Sequence, residues 1–596
     1  MTDMRRTLLW VVFSMSLVLI WDAWSRHNGQ PSLFGPQPVT TAPVATAGPG
    51  SAPAGVPTAA TGPTTTATAA LPAAPAASAV VSERVVIQTD LVKATLDSKG
   101  GTLARVELLT QHEQLQKDLW QMVQELVGLA PRHDEQFQKK NVVVLDESAQ
   151  RLYVAQSGLI PAAGGSGLPN HLTVMSLVPG ERTLKDGSNE LVVRFESPVV
   201  NGVKLVKTYT FKRGDYVIAV HNEITNASGA PVNARLYLQL VRDGNDGTGG
   251  SSFYSTFTGP AIYEESKHFT KVDFKSIEKR GAHDAPDHVT TADSGWVAMV
   301  QHYFTSAWLI DKADGAKQPR EYFTGKADVT NDVTGGPAHV YQVGMTVPLG
   351  DIAPNATKTF DAQLFVGPQE EHKLAALAPG LELVKDYGYF KILAEPLFWI
   401  LTQLHKLIGN WGWSIIALVV LLKIAFYWLN ASAYRSMAKM KAINPKVMEL
   451  RERLKDKPQQ MQQEMMRIYR EEKVNPIGGC LPIIAQMPFF IALYWVLLST
   501  VEMRNAPWIG WITDLSAKDP YFILPLLMTA SSLLQTWLNP TPPDPVQAKM
   551  MWIMPLVFSV MFFFFPAGLV LYWLTNNILS IAQQWLINKQ LGVLGK

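Results

Sequence analysis

The sequence predicts a polytopic α-helical membrane protein that carries one large antiparallel β-sandwich outside the membrane. Three observations predict it. Apolar runs of membrane length crowd the chain after about Leu393. Between Val81 and about Val366 the apolar residues recur instead with period two. A short apolar stretch, Leu8 to Trp21, follows Arg5 and Arg6 at the start of the chain. The 596 residues are too many for one core, and the 47% hydrophobic fraction averages two unlike halves. A net charge of +2 gives no argument for a polyanion partner such as DNA. The lone cysteine, Cys480, excludes an intramolecular disulfide.

Residues 1–28 read as an N-terminal signal-anchor helix. The two arginines favour a cytoplasmic N-terminus, and Trp21 and Trp24 suit an interface. Ala23-Trp24-Ser25 also has the small-x-small form of a cleavage site, so a cleaved signal peptide is the competing reading. Residues 29–80 are almost wholly Pro, Ala, Thr, Gly, Ser and Val. They lack the large apolar side chains that would offset ordering entropy, which predicts a disordered tether.

Residues 81–375 read as the sandwich. Leu191, Val193 and Phe195 alternate, as do Val203, Leu205, Tyr209 and Phe211, then Tyr216, Ile218 and Val220, then Leu236, Leu238 and Leu240. Turn residues bound each run: Asn201-Gly202, Gly214-Asp215, Asn226 to Gly229 and Asp243-Gly244. One stretch, Gln111 to Gly128, has helical spacing instead. The motifs here are weak. Arg213-Gly214-Asp215 is a hairpin turn, and the glycines between Gly244 and Ser252 lack the lysine of a phosphate cradle. His283 and His288 sit in HDAPDH, which reads as a solvated turn rather than a metal site. No cofactor motif is present, and the domain reads as a scaffold or interaction module.

Residues 393–410 read as an amphipathic helix in the outer interface. Leu397, Leu401, Leu404 and Ile408 form its apolar stripe, and Pro396 suits its first turn. Five apolar runs follow within residues 411–596: Trp411 to Leu429, Leu481 to Leu498, Tyr521 to Leu538, Met550 to Phe565 and Leu569 to Ile587. With the N-terminal helix they make six spans. The loop 430–480 holds eleven Lys/Arg against six Asp/Glu, which places it in the cytoplasm. Both termini then lie inside and the sandwich outside. Within that loop Met437, Met440, Ile443, Val447, Leu450 and Leu454 recur at helical spacing. Met461, Met465 and Ile468 do so after a break at Lys455 to Pro458, so a helical hairpin is expected. Its two stripes either pack on each other or leave methionines exposed for varied apolar partners. Its basic residues are solvated faces or contacts to anionic lipid or ribosomal RNA.

Lys423 is the anomaly, a lone charge inside LVVLLKIAFYWL. Seven residues separate it from Asn430, roughly 10 Å along a helix. Burying an ion there costs about 3 kcal/mol on insertion scales, so such a group snorkels, finds a partner or faces water. No other apolar run offers a carboxylate. Gln486, Gln535, Asn576 and Asn577 offer amides, which bind water and leave the charge uncompensated. The expectation is a hydrated cationic cavity open to the cytoplasm. Pro482, Pro488, Pro525 and Pro555 interrupt three spans, and the run Met550 to Phe565 is short for a ~30 Å hydrocarbon core, which would thin the bilayer nearby.

KVNPIGGCLPIIAQMPFFIALYWVL (Lys473 to Leu497), YRSMAKM (Tyr434 to Met440) and FPAGLVLYW (Phe565 to Trp573) resemble the YidC family of membrane protein insertases and chaperones, in its long Gram-negative form. GNWGWSII, DLSAKDPYFILP, RGDY and SGWVAMVQHYF agree. The resemblance implies a bacterial inner-membrane protein without enzymatic activity. It would insert and fold transmembrane segments of nascent proteins, alone or with the Sec translocon. It implies a five-helix insertase core, working as a monomer, whose hydrophilic groove is closed to the periplasm. It also implies a periplasmic super-sandwich similar to carbohydrate-processing folds. Family substrate contacts fall on Met487, Pro488, Gln535, Tyr572 and Trp573, which join Lys423, Gln486 and Asn576 as the expected groove. The family's groove cation is usually arginine, and here it is lysine. Some members carry a basic C-terminal tail; this chain ends at Lys596, so ribosome contact is expected from the cytoplasmic loops. A solute transporter or channel with an intramembrane cationic site is the alternative, but no repeated halves are visible. A sugar-active enzyme on an anchor would leave five spans unexplained.

Overall fold

The computed structural model describes residues 82–113, 140–148, 150–162, 167–245, 256–281, 284–310, 317–330, 337–454, 457–472, 481–539 and 545–590. The expected N-terminal anchor, the tether, Cys480 and most of the predicted helix at Gln111 to Gly128 lie outside them. Described residues through Asp386 form one compact unit and those from Tyr387 another.

The first unit is built from two nine-stranded sheets. The strands of one sheet are β1 (Arg84–Gln88), β2 (Val92–Asp97), β3 (Thr102–His112), β4 (Asn141–Ser148), β5 (Arg151–Pro161), β10 (Val232–Asp243), β13 (Thr291–Ala292), β16 (Arg320–Thr330) and β17 (Pro337–Ile352). Their order is β1-β2-β3-β4-β5-β10-β17-β16-β13. The other sheet holds β6 (Ser176–Leu177), β7 (Glu190–Glu196), β8 (Val203–Lys212), β9 (Val217–Asn226), β11 (Gly259–Glu264), β12 (His268–Lys271), β14 (Trp296–Val300), β15 (Phe304–Leu309) and β18 (Thr357–Pro368). Its order is β12-β11-β14-β15-β18-β9-β8-β7-β6. Neighbouring strands pair antiparallel throughout, as the turn-bounded runs predict. Two short helices, α1 (Phe274–Lys279) and α2 (Glu371–Leu377), accompany them. Gln111 and His112 close β3, so the predicted helix does not begin there.

The core lies between the sheets, and polar bonds cross it. Tyr153 on β5 meets Ser306 on β15 at 2.5 Å, and the Trp308 indole donates to the Gln239 carbonyl at 3.1 Å. The alternation in β7 buries Leu191, Val193 and Phe195 as expected. β10 departs from it, because Tyr237, Gln239 and Val241 are buried beside Leu236, Leu238 and Leu240. The strand sits mid-sheet between β5 and β17, so both its faces are covered. β8 holds a surprise on its inward face. Lys207 lies between Leu205 and Tyr209, fully buried, and donates to the carbonyls of Gly100 at 2.6 Å and Ser157 at 2.8 Å. Burial pushes its pKa down to about 7. His288 also corrects the sequence reading. It is buried, its Nδ1 donating to the Val289 carbonyl at 2.8 Å and its Nε2 paired with Thr324 at 2.9 Å, so it is not in a solvated turn.

The second unit is helical: α3 (Lys391–Ile408), α4 (Trp411–Ala425), α5 (Tyr427–Arg453), α6 (Pro458–Glu471), α7 (Leu481–Ser499), α8 (Ile523–Leu538), α9 (Pro545–Phe562) and α10 (Ala567–Gln590). α3 buries Leu397 and Leu401 but leaves Ile408 exposed, and Pro396 lies inside it rather than in its first turn. Gly409, at φ 77°, ends α3, and the Asn410 side chain accepts from the Trp413 amide to start α4.

The apolar run from Trp411 to Leu429 is bent within its length. α4 and α5 meet at a 66° bend at Phe426, whose ring packs edge-on against Phe489 of α7, 5.0 Å away. α5 and α6 form the expected hairpin, closed by an ion pair of Lys446 with Glu472 at 2.6 Å. Ile443, Val447 and Leu450 are buried, whereas Met448 and Met466 stay exposed. Among the described residues no single helix is long and apolar enough to cross a membrane; the α4–α5 pair passes that test only as a bent whole. α10 is long, but Asn576, Asn577, Gln583 and Gln584 lower its apolarity. The count of six spans therefore rests on the sequence alone.

Candidate functional site

Three helix stripes converge on one cavity. Val419, Leu422 and Lys423 of α4, with Phe426 at the bend, provide the first. Gln486, Phe489 and Phe490 of α7 provide the second, and Tyr572 and Asn576 of α10 the third. Each set follows the three- and four-residue spacing that stacks side chains on one helix face. The space between them, open on one side to solvent, is about 320 Å³ with that solvent included.

The polar groups in it are few and specific. Lys423 Nζ donates to Ser580 Oγ at 2.7 Å, and that hydroxyl donates to the Asn576 carbonyl at 2.7 Å. Among the described residues Lys423 has no ion pair. The Tyr572 hydroxyl is buried and has no partner there. Gln486 donates to the Asn430 oxygen at 2.9 Å. Asn430 is itself buried. The residue that ends the apolar run is thus an interior hydrogen-bond partner, not an interfacial terminus.

Four of the expected groove residues meet here: Lys423, Gln486, Tyr572 and Asn576. The other four do not line the cavity. Met487 and Pro488 follow Gln486 round the helix, and Met487 is 48% exposed. Trp573 turns about 100° from Tyr572 and faces the rings of Phe490 and Phe562, 6.5 and 5.6 Å away. Gln535 sits on α8, which packs along another face of α10. There Asn577 donates to Ser532 Oγ at 3.1 Å and Gln584 to Asn539 Oδ1 at 3.0 Å. The sequence reading passed over Ser580 and Phe490. Both carry a signal, since each stands four residues after a named polar residue, Asn576 and Gln486.

At the other end of these helices, the segment 500–522 folds over the starts of α4 and α10. Asn410 Nδ2 donates to the carbonyls of Pro507 at 3.1 Å and Trp508 at 3.2 Å, and Trp508 packs edge-on against Trp413. A Cβ on Gly412 would meet Trp508 at 2.2 Å, so only glycine admits that contact. The amides of Ala567 and Gly568 donate to the carbonyls of Ala517 at 2.7 Å and Leu515 at 2.8 Å. Asp519, buried, accepts from the Leu524 amide at 2.7 Å, the Tyr521 amide at 3.0 Å and the Trp511 indole at 3.1 Å, and so starts α8.

Residues 403–592 match the family model described as 60Kd inner membrane protein, and residues 129–400 match the YidC periplasmic domain. A Cupriavidus necator protein named Membrane protein insertase YidC is 53% identical over 591 residues, 99% of this chain and 98% of that one. The chain belongs to the YidC family of membrane protein insertases. The Ralstonia nicotianae member is 50% identical over 99% of this chain and 98% of its own length, and the Burkholderia multivorans member 48% over 99% of each. A solved chain described as an active YidC insertase with its first transmembrane domain resolved is 18% identical; it covers 84% of this chain and 92% of that one at a TM-score of 0.35. As a YidC protein the chain is an insertase, not an enzyme. Its clients are nascent membrane proteins. It resides in the inner membrane, with the sandwich as its periplasmic domain.

Proposed function

We propose that the cavity around Lys423 is the groove that receives the hydrophilic part of a client while its transmembrane segment moves into lipid. The observation that carries this reading is the Lys423 ammonium held by a neutral hydroxyl at 2.7 Å, with no carboxylate paired to it among the described residues. A cation kept this way attracts acidic residues of an incoming segment without any covalent step. Lys423, Gln486, Tyr572 and Asn576 bind that segment. Phe490 and Trp573, with Met487, Pro488 and Gln535 beyond them, meet its apolar flank. The cavity opens to the cytoplasm and holds water, and the segment 500–522 closes it toward the periplasm.

The basic excess of loop 430–480 supports a cytoplasmic place for α5, α6 and both termini. Six spans, the first within residues 1–28, complete the topology. The tether 29–80 and the interfacial helix α3 flank the sandwich, and the core acts as a monomer. The same basic loop meets the ribosome and anionic lipid headgroups. Some clients arrive through the Sec translocon and others directly. Site-specific photo-crosslinking to a ribosome-stalled client from Tyr572 tests the reading: capture of the client is expected, and capture of lipid alone contradicts it.

A further inference from the structure

We propose that Ser580 is the positioning residue of this groove, aiming the Lys423 ammonium into the cavity while leaving its charge uncompensated. The proposal rests on the reading of the cavity as the client site. Ser580 is buried one turn beyond Asn576 on α10. Its hydroxyl proton is committed to the Asn576 carbonyl at 2.7 Å, so toward Lys423 its oxygen presents lone pairs only. Lys423 Nζ donates into it at 2.7 Å. The Tyr434 phenol of α5 lies beside the same hydroxyl and adds no charge.

An ammonium has three N–H groups, and one is thereby held. The others remain for the cavity, where the Tyr572 hydroxyl is also without a partner among the described residues. Together they form a donor set suited to a carboxylate on a translocating segment. A carboxylate at position 580 would pair with Lys423 and neutralise it. An apolar residue there would release the lysine stem, which would then reach toward the nearest interface. Serine holds the cation and leaves it charged.

The test measures co-translational insertion, by the full chain in proteoliposomes, of two clients that differ only in an acidic or a neutral translocated segment. The readout is the ratio of acidic to neutral client inserted. Ser580→Asp should lower this ratio on the order of tenfold, a size that one charge pair carries at an interface, while the neutral isostere Ser580→Asn should lower it far less. Ser580→Ala should also lower it and Ser580→Thr should restore it, because threonine returns the acceptor. If Asp and Asn act alike, or if Ala equals wild type, the proposal is overturned; should Ser580→Asp fail to accumulate, the Ala and Thr pair decides. Lys423→Met is run alongside. If it inserts the acidic client as well as wild type, the groove reading itself fails; if it fails to insert while Ser580→Ala and Ser580→Asp match wild type, the role of Ser580 alone is refuted.

Discussion

The Gln486 side-chain amide on α7 donates to the Asn430 oxygen on α5 across 2.9 Å, with both residues buried. Asn430 lies just past the bend at Phe426, so this bond ties one cavity wall to the point where the chain turns. Asn430→Leu orphans the Gln486 donor and should cost about 1–3 kcal/mol. Thermal denaturation of the full chain in detergent will register that loss as a lower midpoint. Adding Gln486→Leu should recover part of it, because the orphan is gone; strictly additive losses would mean that the two side chains are not coupled.

Phe490 borders the cavity, whereas Trp552 on α9 is exposed on the apolar exterior. A benzophenone side chain at position 490 should capture a stalled client, and the same probe at position 552 should capture lipid. Equal client capture at both sites would mean that the cavity has no privileged contact.

Asp519 organises the segment that folds over the starts of α4 and α10. Asp519→Ala removes three acceptor contacts at once and should destabilise the helical unit by about 2–4 kcal/mol. Asp519→Asn retains one acceptor oxygen and should cost less. Accessibility of a cysteine replacing the buried Ser414 of α4, in a chain lacking Cys480, to a reagent added from the periplasmic side should rise with Asp519→Ala. No change in labelling would remove the closing role given to this segment.

Lys207 gives the sandwich a pH dependence of definite sign. Its folded pKa, near 7, lies below the usual lysine value, so between about pH 7 and pH 10 the unfolded chain binds more protons. Stability should therefore rise with pH across that window, by up to ~1.4 kcal/mol per unit. His171, held near 3 by burial, adds a loss of stability as pH falls from about 6.5 toward 3. Lys207→Met should abolish the alkaline rise and lessen the acid loss without removing it, because the Lys207 charge adds to the burial that holds His171 down. An unchanged alkaline slope in that variant would assign the effect elsewhere.

Much of this was legible from local pattern. Alternation located β7 and β8 because their outer faces are solvated, and turn residues such as Asn201-Gly202 marked where they reverse. β10 was read by its leucines alone, since its second buried face depends on what covers it. Lys207 was invisible for a related reason: a lysine at an inward position breaks the apolar period, and only the carbonyls of Gly100 and Ser157, distant in sequence, make the position tolerable. In the helical unit, composition singled out Lys423, Gln486 and Asn576. The bend at Phe426 carried no proline or glycine to announce it, and it arises where a ring from another helix packs. Ser580 looked like one small residue among many until its neighbours were in place.

The most direct test of the account is insertion of a client with an acidic translocated segment by Lys423→Arg and Lys423→Glu chains, at equal membrane levels. Near wild-type insertion is expected with arginine, and a loss on the order of tenfold or more with glutamate, where the cavity repels the segment instead of attracting it. Equal insertion by wild type and both variants would contradict the account.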